Sequence, residues 1–500
     1  MAGTRRAVCR YGETLEPRRY GDEIVNAASP NIGASGSVST WTSIPKAVLG
    51  TLDPTMRLSI LLTNSISEVI HSTVLEKNAH QSSPSMDAIF YSQIKNILQT
   101  DGQYFESILS KYFDGVHKWL PILSKKLLYD RLQFLPTTPA ADFSILLLAM
   151  RLITQLPSMD PEVDQDREIL YLATKTLFSQ IQAFVPSSLR LVQAGIILAH
   201  YENAHGMSDA AYVTIGTCTR MAYILGLQNT KCSDKIHGSD AWLDEEESLS
   251  TWWGLVICDR IIALSPDMAD RPLATRTIHD DDYLPLEPDD LGAEIGRPVN
   301  PLVRYRYPVS ATSLPSMGSF AREAQATYLM QKVRNVIDSG QVFGDHLISV
   351  GSELQSLLGT VMSQTTGRSG EYSGALQMLI VGMYDLHYSA VEVAEGDVIS
   401  GAAETIQLTL KTITRIIIDI AHAFNANWHT FDIEHINPAR AHLTKCIQHH
   451  ILMRNHIEEE QWLHDFAELK KMLEYCSLRW ILPGKELRRI MQNVDMPMSQ

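Results

Sequence analysis

The 500-residue sequence has few cysteines, few aromatic residues and no long apolar run. Its six cysteines, at positions 9, 218, 232, 258, 446 and 476, have no paired spacing. This excludes a disulfide scaffold and is typical of a reducing compartment. Because a membrane-spanning helix needs about eighteen apolar residues, none is predicted. No apolar segment follows the N-terminal arginines, so the start is not a secretory signal.

The charge is negative overall and unevenly distributed. The net charge is −15, and residues 234–290 contain fifteen acidic residues against four basic ones. The first nineteen residues instead contain five arginines and two glutamates. Since an acidic surface repels nucleic-acid phosphates, the body of the chain is not expected to bind DNA by itself.

Hydrophobic periodicity predicts an all-α protein. Residues 1–50 lack periodicity and are rich in Ser, Gly, Thr and Pro, so we interpret them as a flexible basic arm. Within 51–500, apolar residues recur at the three- and four-residue steps of amphipathic helices. These stretches lie near 56–70, 87–99, 142–156, 166–184, 189–204, 208–225, 241–265, 317–338, 371–393, 402–425 and 439–476. Eight prolines in 266–316 predict an irregular segment without a long helix, and the polar residues 363–373 predict a loop.

No common catalytic motif is present, and the aspartate triplet at 280–282 is the one candidate metal site. Helical enzymes that bind diphosphates through Mg²⁺ use aspartates that face a shared cavity. Consecutive residues on a helix point about 100° apart, and Pro285 and Pro288 favour a loop. A turn or a helix cap is therefore the simpler interpretation, and an all-α diphosphate-processing enzyme stays as an alternative function.

Histidines are frequent in the C-terminal third, at positions 422, 429, 435, 442, 449, 450, 456 and 464. Two zinc ligands on one helix must be three or four residues apart. His442, His449 and His456 are seven apart, which is about 10 Å per step along a helix. The pattern predicts a polar helix stripe rather than a zinc site.

The segment 241–265 predicts a helix with two adjacent tryptophans and a charged pair inside its apolar surface. Asp244 to Glu247 place negative charge on the first turn, where the helix dipole favours it. Asp259 and Arg260 interrupt the apolar face, and buried charges need hydrogen-bond partners. We expect these two side chains to contact loop backbone or the region of Arg271.

Four blocks, in order, resemble the fungal-specific transcription factor domain, the middle homology region of zinc binuclear cluster transcription factors. The first is Tyr112–Leu123, with an aromatic pair, a histidine and a proline. Ser188–Tyr201 and Ala211–Leu227 resemble the second and third helices, and Glu247–Pro285 resembles the signature block. Together the blocks span a family core of about 105–290. Four blocks in sequence are specific, whereas each alone is weak.

The resemblance implies a helical regulatory domain over 51–500 that has no catalytic residues and no cofactor of its own. Its signature residues, to which we assign structural roles, are Trp252, Trp253, Asp259, Arg260, Arg271 and Pro272. Small residues should allow close helix approach; they are Gly195, Ala199, Ala211, Gly216 and Ala222. Gly226 should end its helix in the left-handed conformation.

The family's DNA-binding module holds two zinc ions with six cysteines. Cys9 is the only cysteine in the first 217 residues, and Cys9-Arg10-Tyr11 resembles the end of such a cluster. One thiolate cannot build a binuclear site, so the module is either lost or encoded upstream. Zinc is expected only with a complete upstream cluster.

The resemblance implies a nuclear transcription regulator and, as a narrower expectation, one that is specific for a secondary-metabolite gene cluster. It would contact DNA through another module or through other transcription factor subunits, and it would not contact membranes. A small-molecule effector is expected where the tryptophan helix, helices 189–204 and 208–225 and the segment 266–316 meet. A partner without DNA-binding activity, which restrains a complete family member, stays open as a further alternative.

Overall fold

A computed structural model describes most of the chain from residue 85 onward. The described residues are 85–100, 105–133, 138–158, 161–230, 241–286, 306–314, 317–340, 342, 344–365, 370–394, 400–438 and 444–492. They all belong to one compact unit, residues 52–500. The predicted arm at 1–50, Cys9 and the predicted helix near 56–70 lie outside the described residues.

The prediction of an all-α fold is confirmed. The described residues contain fifteen α-helices and no strand beyond an isolated bridge between Tyr283 and Pro308. The first eight helices are α1 (Met86–Thr100), α2 (Phe105–Asp114), α3 (Lys125–Gln133), α4 (Ala141–Ile153), α5 (Pro161–Phe184), α6 (Leu189–Ala204), α7 (Ser208–Leu225) and α8 (Ala241–Ala263). The remaining seven are α9 (Ser319–Asp338), α10 (Gly344–Gln364), α11 (Ser373–Ala394), α12 (Ser400–Ala426), α13 (Thr444–Leu452), α14 (Glu459–Ser477) and α15 (Ile481–Gln492).

Helices α4 and α6 form the centre of the N-terminal half. Every residue of α4 except Asp142 is buried, as its nearly continuous apolar sequence requires. It packs against α1, α2, α5 and α6, and α6 packs in turn against α7 and α8. Ser188 caps the N-terminus of α6, because its hydroxyl accepts a hydrogen bond from the Leu191 amide.

Two of the predictions about glycine in this half are confirmed, and one is wrong. A Cβ at Gly195 would overlap the Cys218 sulfur and lie 2.8 Å from Phe178, so α6 and α7 approach closely there. Gly226 ends α7 with a left-handed φ of 73°. Gly216 is not at a helix contact, because a Cβ there would meet only the end of the Arg220 side chain at 3.7 Å.

In the C-terminal half, α9 packs against α10 and α11, and α14 packs against α12, α13 and α15. The helix α10 was not predicted, although its buried residues Val350, Leu354, Leu358 and Val361 follow helical spacing. The prediction of one helix near 439–476 is wrong. The chain turns through a 3₁₀ helix at Arg454–His456, which lets Trp462 of α14 stack on His450 of α13 at 5.4 Å.

The prediction of a polar histidine stripe is wrong for two of its histidines. His449 and His450 are buried in the core. The Nδ1 of His449 lies 2.6 Å from the Thr414 hydroxyl, and the Nε2 of His450 lies 3.0 Å from the Trp462 carbonyl oxygen. Burial lowers the pKa of His449 to about 4, so this imidazole is a neutral core group.

The helices that the structure describes include none that is long and apolar enough to cross a membrane.

Candidate functional site

The tryptophan helix α8 lies between α6, α7 and α9 and contacts the loop that follows it. We call residues 274–286 of this loop the clamp segment. The indole of Trp253 is buried and donates to the carbonyl oxygen of Tyr283 at 2.8 Å. The guanidinium of Arg276 lies over the Trp252 ring at 5.6 Å. Both tryptophans therefore contact the clamp segment.

Asp259 binds the start of the clamp segment through one carboxylate oxygen. Its Oδ2 accepts hydrogen bonds from the Ala274 amide at 3.0 Å, the Thr275 amide at 2.9 Å and the Thr275 hydroxyl at 2.7 Å. The side chain is only 1% exposed. This is the contact with loop backbone that the sequence suggested, and it gives a buried charge the partners that it needs.

Arg260 extends the same contact to the next helix along the chain. Its guanidinium donates to the Thr275 hydroxyl, to the Arg276 carbonyl oxygen at 3.0 Å and to the Gln331 side chain of α9 at 3.3 Å. Burial lowers the pKa of Arg260, and the adjacent Asp259 opposes that effect.

Gln331 closes the connection between α8 and α9. Its Oε1 accepts from the Ile278 amide at 2.8 Å, and its Nε2 donates to the Ile278 carbonyl oxygen at 3.0 Å. The side-chain amide therefore pairs with the backbone as a neighbouring strand would. As a result, α8 and α9 both bind the backbone of residues 274–278.

Arg271 and Pro272 lie at the surface, away from the contacts made by Asp259 and Arg260. Both residues are exposed, and the Pro272 carbonyl oxygen accepts from the Tyr212 hydroxyl at 2.8 Å. Arg276, which is half-buried, instead supplies the basic contacts of the clamp segment. It pairs with Asp282 at 2.7 and 2.8 Å and donates to the Gln228 carbonyl oxygen at 3.2 Å.

The aspartate triplet lies in a turn, and its members point to different partners. Asp280 accepts from the Tyr328 hydroxyl at 2.7 Å, Asp282 pairs with Arg276, and Asp281 is exposed. Across the described ranges, no group of three or more His, Cys, Asp or Glu side chains could hold a metal ion. The carboxylates of Asp280 and Asp282 are occupied by protein contacts instead.

A second buried ion pair connects the other end of the clamp segment to α8. Glu246 pairs with Arg306 at 2.6 Å, and both side chains are almost fully buried. Glu246 also accepts from the Leu286 amide at 2.6 Å. Burial raises the pKa of Glu246, and Arg306 opposes that effect.

The adjacent Glu247 connects α8 to the first sequence block. Its carboxylate accepts from the Ser124 amide at 3.1 Å. Gln193 of α6 connects the same two parts of the chain. Its side-chain amide donates both to the Ile122 carbonyl oxygen at 2.9 Å and to the Thr251 hydroxyl of α8 at 3.1 Å. The four sequence blocks thus meet around α8.

The sequence also matches a known domain family and two curated proteins. The fungal specific transcription factor domain matches residues 109–265. Transcription factor BOA15 of Botryotinia fuckeliana is 34% identical over 137 residues, which are 27% of this chain and 75% of BOA15. Transcription factor AN6788 of Emericella nidulans is 28% identical over 152 residues, which are 30% of this chain and 23% of AN6788.

The chain therefore belongs to the fungal-specific transcription factor domain family. It is a transcription regulator and not an enzyme, so the diphosphate-processing alternative is wrong. The match ends at residue 265, and the clamp segment begins shortly after it, at residue 274. Sequence reasoning identified Asp259 and Arg260 but missed Arg276, and it missed Gln331 and Arg306, whose partners are 53 and 60 positions away along the chain.

Proposed function

We propose that this chain is the regulatory part of a nuclear transcription regulator and that the clamp segment couples its two halves. The supporting observation is that α8, in the matched domain, binds the backbone of residues 274–276, and α9, beyond it, binds the backbone of Ile278 in the same segment. A change in the position of α8 would therefore move α9. Two packed elements joined by a shared segment are the physical requirement for such coupling.

We propose further that DNA contact is made by another module or by a partner subunit. The net charge of −15 opposes direct contact with phosphates. Zinc would belong to such a module and would need a complete cysteine cluster, to which Cys9 alone contributes too little. The partners in this proposal are other transcription factor subunits.

The effector site expected at the junction of α8 with residues 266–316 stays a prediction. The polar groups of Asp259 and Gln331 there already bond to the clamp segment. An effector at this junction would thus have to replace hydrogen bonds of the chain itself. Such an effector should protect 266–316 from limited proteolysis.

The direct test is to tether the full chain to a reporter promoter through a heterologous DNA-binding domain. The fusion should change reporter transcription in either direction, a rise indicating activation and a fall indicating restraint of transcription. Gln331→Ala, which removes the α9 contact with Ile278, should reduce this change. Asp281→Ala, an exposed substitution in the same segment, is the matched control and should leave the change intact. A wild-type fusion that leaves the reporter unchanged would contradict the proposal.

The proposed nuclear location and pathway role are tested in the fungus. A fluorescent fusion should concentrate in the nucleus. Deletion of the gene should change transcripts of one secondary-metabolite gene cluster more than transcripts elsewhere. A fusion excluded from the nucleus would refute the location, and a uniform transcript profile would refute pathway specificity.

A further inference from the structure

A second group of buried polar side chains lies where the C-terminal hairpin packs on the N-terminal half. We call Trp119, His200, His205, Arg479 and Trp480 the Arg479 cluster. Arg479 and Trp480 lie between α14 and α15, while His200 and His205 lie at the end of α6. The Trp119 ring lies 5.4 Å from the His200 ring and 6.1 Å from the Trp480 ring. The His205 ring lies 5.8 Å from Trp480, so the five side chains form one group.

Most polar atoms of the Arg479 cluster have no hydrogen-bond partner among the residues that the structure describes. They are the Trp119 Nε1, the His200 Nε2, both ring nitrogens of His205 and the Nε and Nη1 of Arg479. The large majority of buried side-chain polar atoms in proteins are hydrogen-bonded. Several unpartnered atoms in one place therefore require an explanation, and a bound polar molecule is one.

The charge of the cluster identifies the kind of molecule. Arg479 is fully buried and donates once, from Nη2 to the Ile153 carbonyl oxygen at 2.6 Å. Burial lowers its pKa to about 10, so the guanidinium remains cationic at neutral pH. Within the described residues no carboxylate forms an ion pair with it, although Glu434 acts on it from a distance. A buried cation without a counter-ion is costly, and water would satisfy its hydrogen bonds but not its charge.

The neighbouring imidazoles do not add to this charge. Burial lowers the pKa of His200 to about 3 and holds the pKa of His205 well below its usual range. Both rings are therefore neutral and can donate or accept through their free nitrogens. The second buried arginine nearby, Arg167, already pairs with Asp164 at 2.8 Å. The Arg479 guanidinium lies over the Trp480 ring at 3.7 Å. Its partners among the described residues are therefore an aromatic face and one carbonyl oxygen, and no carboxylate pairs with it.

We infer that the Arg479 cluster binds a small molecule with a carboxylate group. The carboxylate would accept from the free Nε and Nη1 of Arg479 and from the Trp119 indole, and the aromatic rings would contact its apolar part. Charge-assisted hydrogen bonds of this kind are the strong ones. The exposed ammonium of Lys485 donates to the carbonyl oxygen of Gly206, the residue after His205, at 3.2 Å, and its charge attracts anions.

The Arg479 cluster is connected to the tryptophan helix by a short segment. Trp119 begins it, and Ile122 lies so close to Gly254 of α8 that a Cβ there would overlap the Ile122 side chain. The Ile122 carbonyl oxygen accepts from Gln193 of α6. A ligand that moves Trp119 would therefore also shift the contact between Ile122 and α8. This regulatory use rests on the proposed function, whereas the binding itself does not.

The test uses acetate and benzoate as probes and benzamide as the neutral counterpart. Each is titrated into the full chain labelled with ¹⁵N-tryptophan, and Trp119→Phe assigns one of the eight indole signals. The carboxylates should shift the Trp119 signal saturably below about 10 mM, the range of weak small ligands. Benzamide should bind at least about tenfold more weakly than benzoate, because it lacks the charge.

Two arginine variants give the matched comparison. Arg479→Met should weaken benzoate binding by at least about tenfold. Arg454 also lies over a tryptophan, Trp462, at 4.9 Å, but it is a third exposed and pairs with Glu459, so Arg454→Met should bind benzoate like the wild type. Should Arg479→Met fail to fold, the benzoate and benzamide titrations of the wild type decide alone. No saturable shift with either carboxylate, equal binding of benzamide, or undiminished binding by a folded Arg479→Met would overturn the inference.

Discussion

Replacing Asp259 with alanine removes the acceptor that binds the clamp segment to α8. Its Oδ2 accepts three hydrogen bonds within 3.0 Å, and the side chain is 1% exposed. Hydrogen bonds to charged groups contribute about 1.5–3 kcal/mol each, and breaking one side of a buried ion pair costs about 3–5 kcal/mol. Because the three bonds share one carboxylate and the freed loop can partly reach water, they do not add. We expect the free energy of unfolding to fall by about 3–5 kcal/mol.

Urea unfolding, followed by far-UV circular dichroism and tryptophan fluorescence, measures this loss. Asp259→Asn keeps an acceptor oxygen but not the charge, so its loss should be smaller than that of Asp259→Ala. Asp281→Ala removes an exposed carboxylate of the same segment and should change stability by less than about 0.5 kcal/mol. If Asp259→Ala proves as stable as Asp281→Ala, the clamp contact does not stabilise the fold and the reasoning is refuted.

Three further predictions concern packing, the second ion pair and pH. Gly195→Ala should lower the free energy of unfolding by about 1–3 kcal/mol, because its Cβ would overlap the Cys218 sulfur. Gly359→Ala, in open space on α10, should raise it by about 0.5–1 kcal/mol, and equal effects in urea unfolding would contradict both. Arg306→Met should lower the free energy of unfolding by about 3–5 kcal/mol, because it leaves the Glu246 carboxylate buried without its ion-pair partner. Adding Glu246→Gln should restore part of that loss, and a double variant no more stable than Arg306→Met would argue against the pair. Burial lowers the pKa of His200 to about 3 and of His449 to about 4. Below pH 6.5 these two imidazoles therefore bind protons in the unfolded chain but not in the folded one. The free energy of unfolding should accordingly fall as the pH is lowered toward 4. The raised pKa of Glu246 acts in the opposite direction, so His200→Phe should flatten a urea-monitored pH profile, and an unchanged profile would refute the assignment.

The helical predictions succeeded where the relevant physics is local. The bounds of α6 and α7 follow from apolar spacing, from the Ser188 cap and from Gly226, all within a few residues of the helix ends. The contact of Asp259 and Arg260 with loop backbone was also predictable, since charges inside an apolar helix face must find partners. The predicted helix near 439–476 failed because the turn between α13 and α14 is decided by Trp462 packing on His450.

Polar partners from distant parts of the chain could not be predicted in the same way. Arg260 meets Gln331 across 71 positions, Glu246 meets Arg306 across 60, and Arg479 meets the Ile153 carbonyl across 326. No periodicity or motif marks such pairs, because their partners are set by how whole helices pack. The same applies to His449, which on sequence spacing belongs to a polar stripe but is buried against Thr414.

The sequence by itself therefore determined the all-α class, the lack of a long helix in the described residues 266–286 and 306–314, and the family, because prolines, helix periodicity and the four blocks are read along the chain. Tertiary structure alone decided which buried charges are paired. It joins Asp259, Arg260 and Gln331 around one backbone segment and leaves Arg479 without a carboxylate among the described residues. The physical reason is that burying a charge has a cost that depends on its neighbours in space, and those neighbours exist only after the helices have packed.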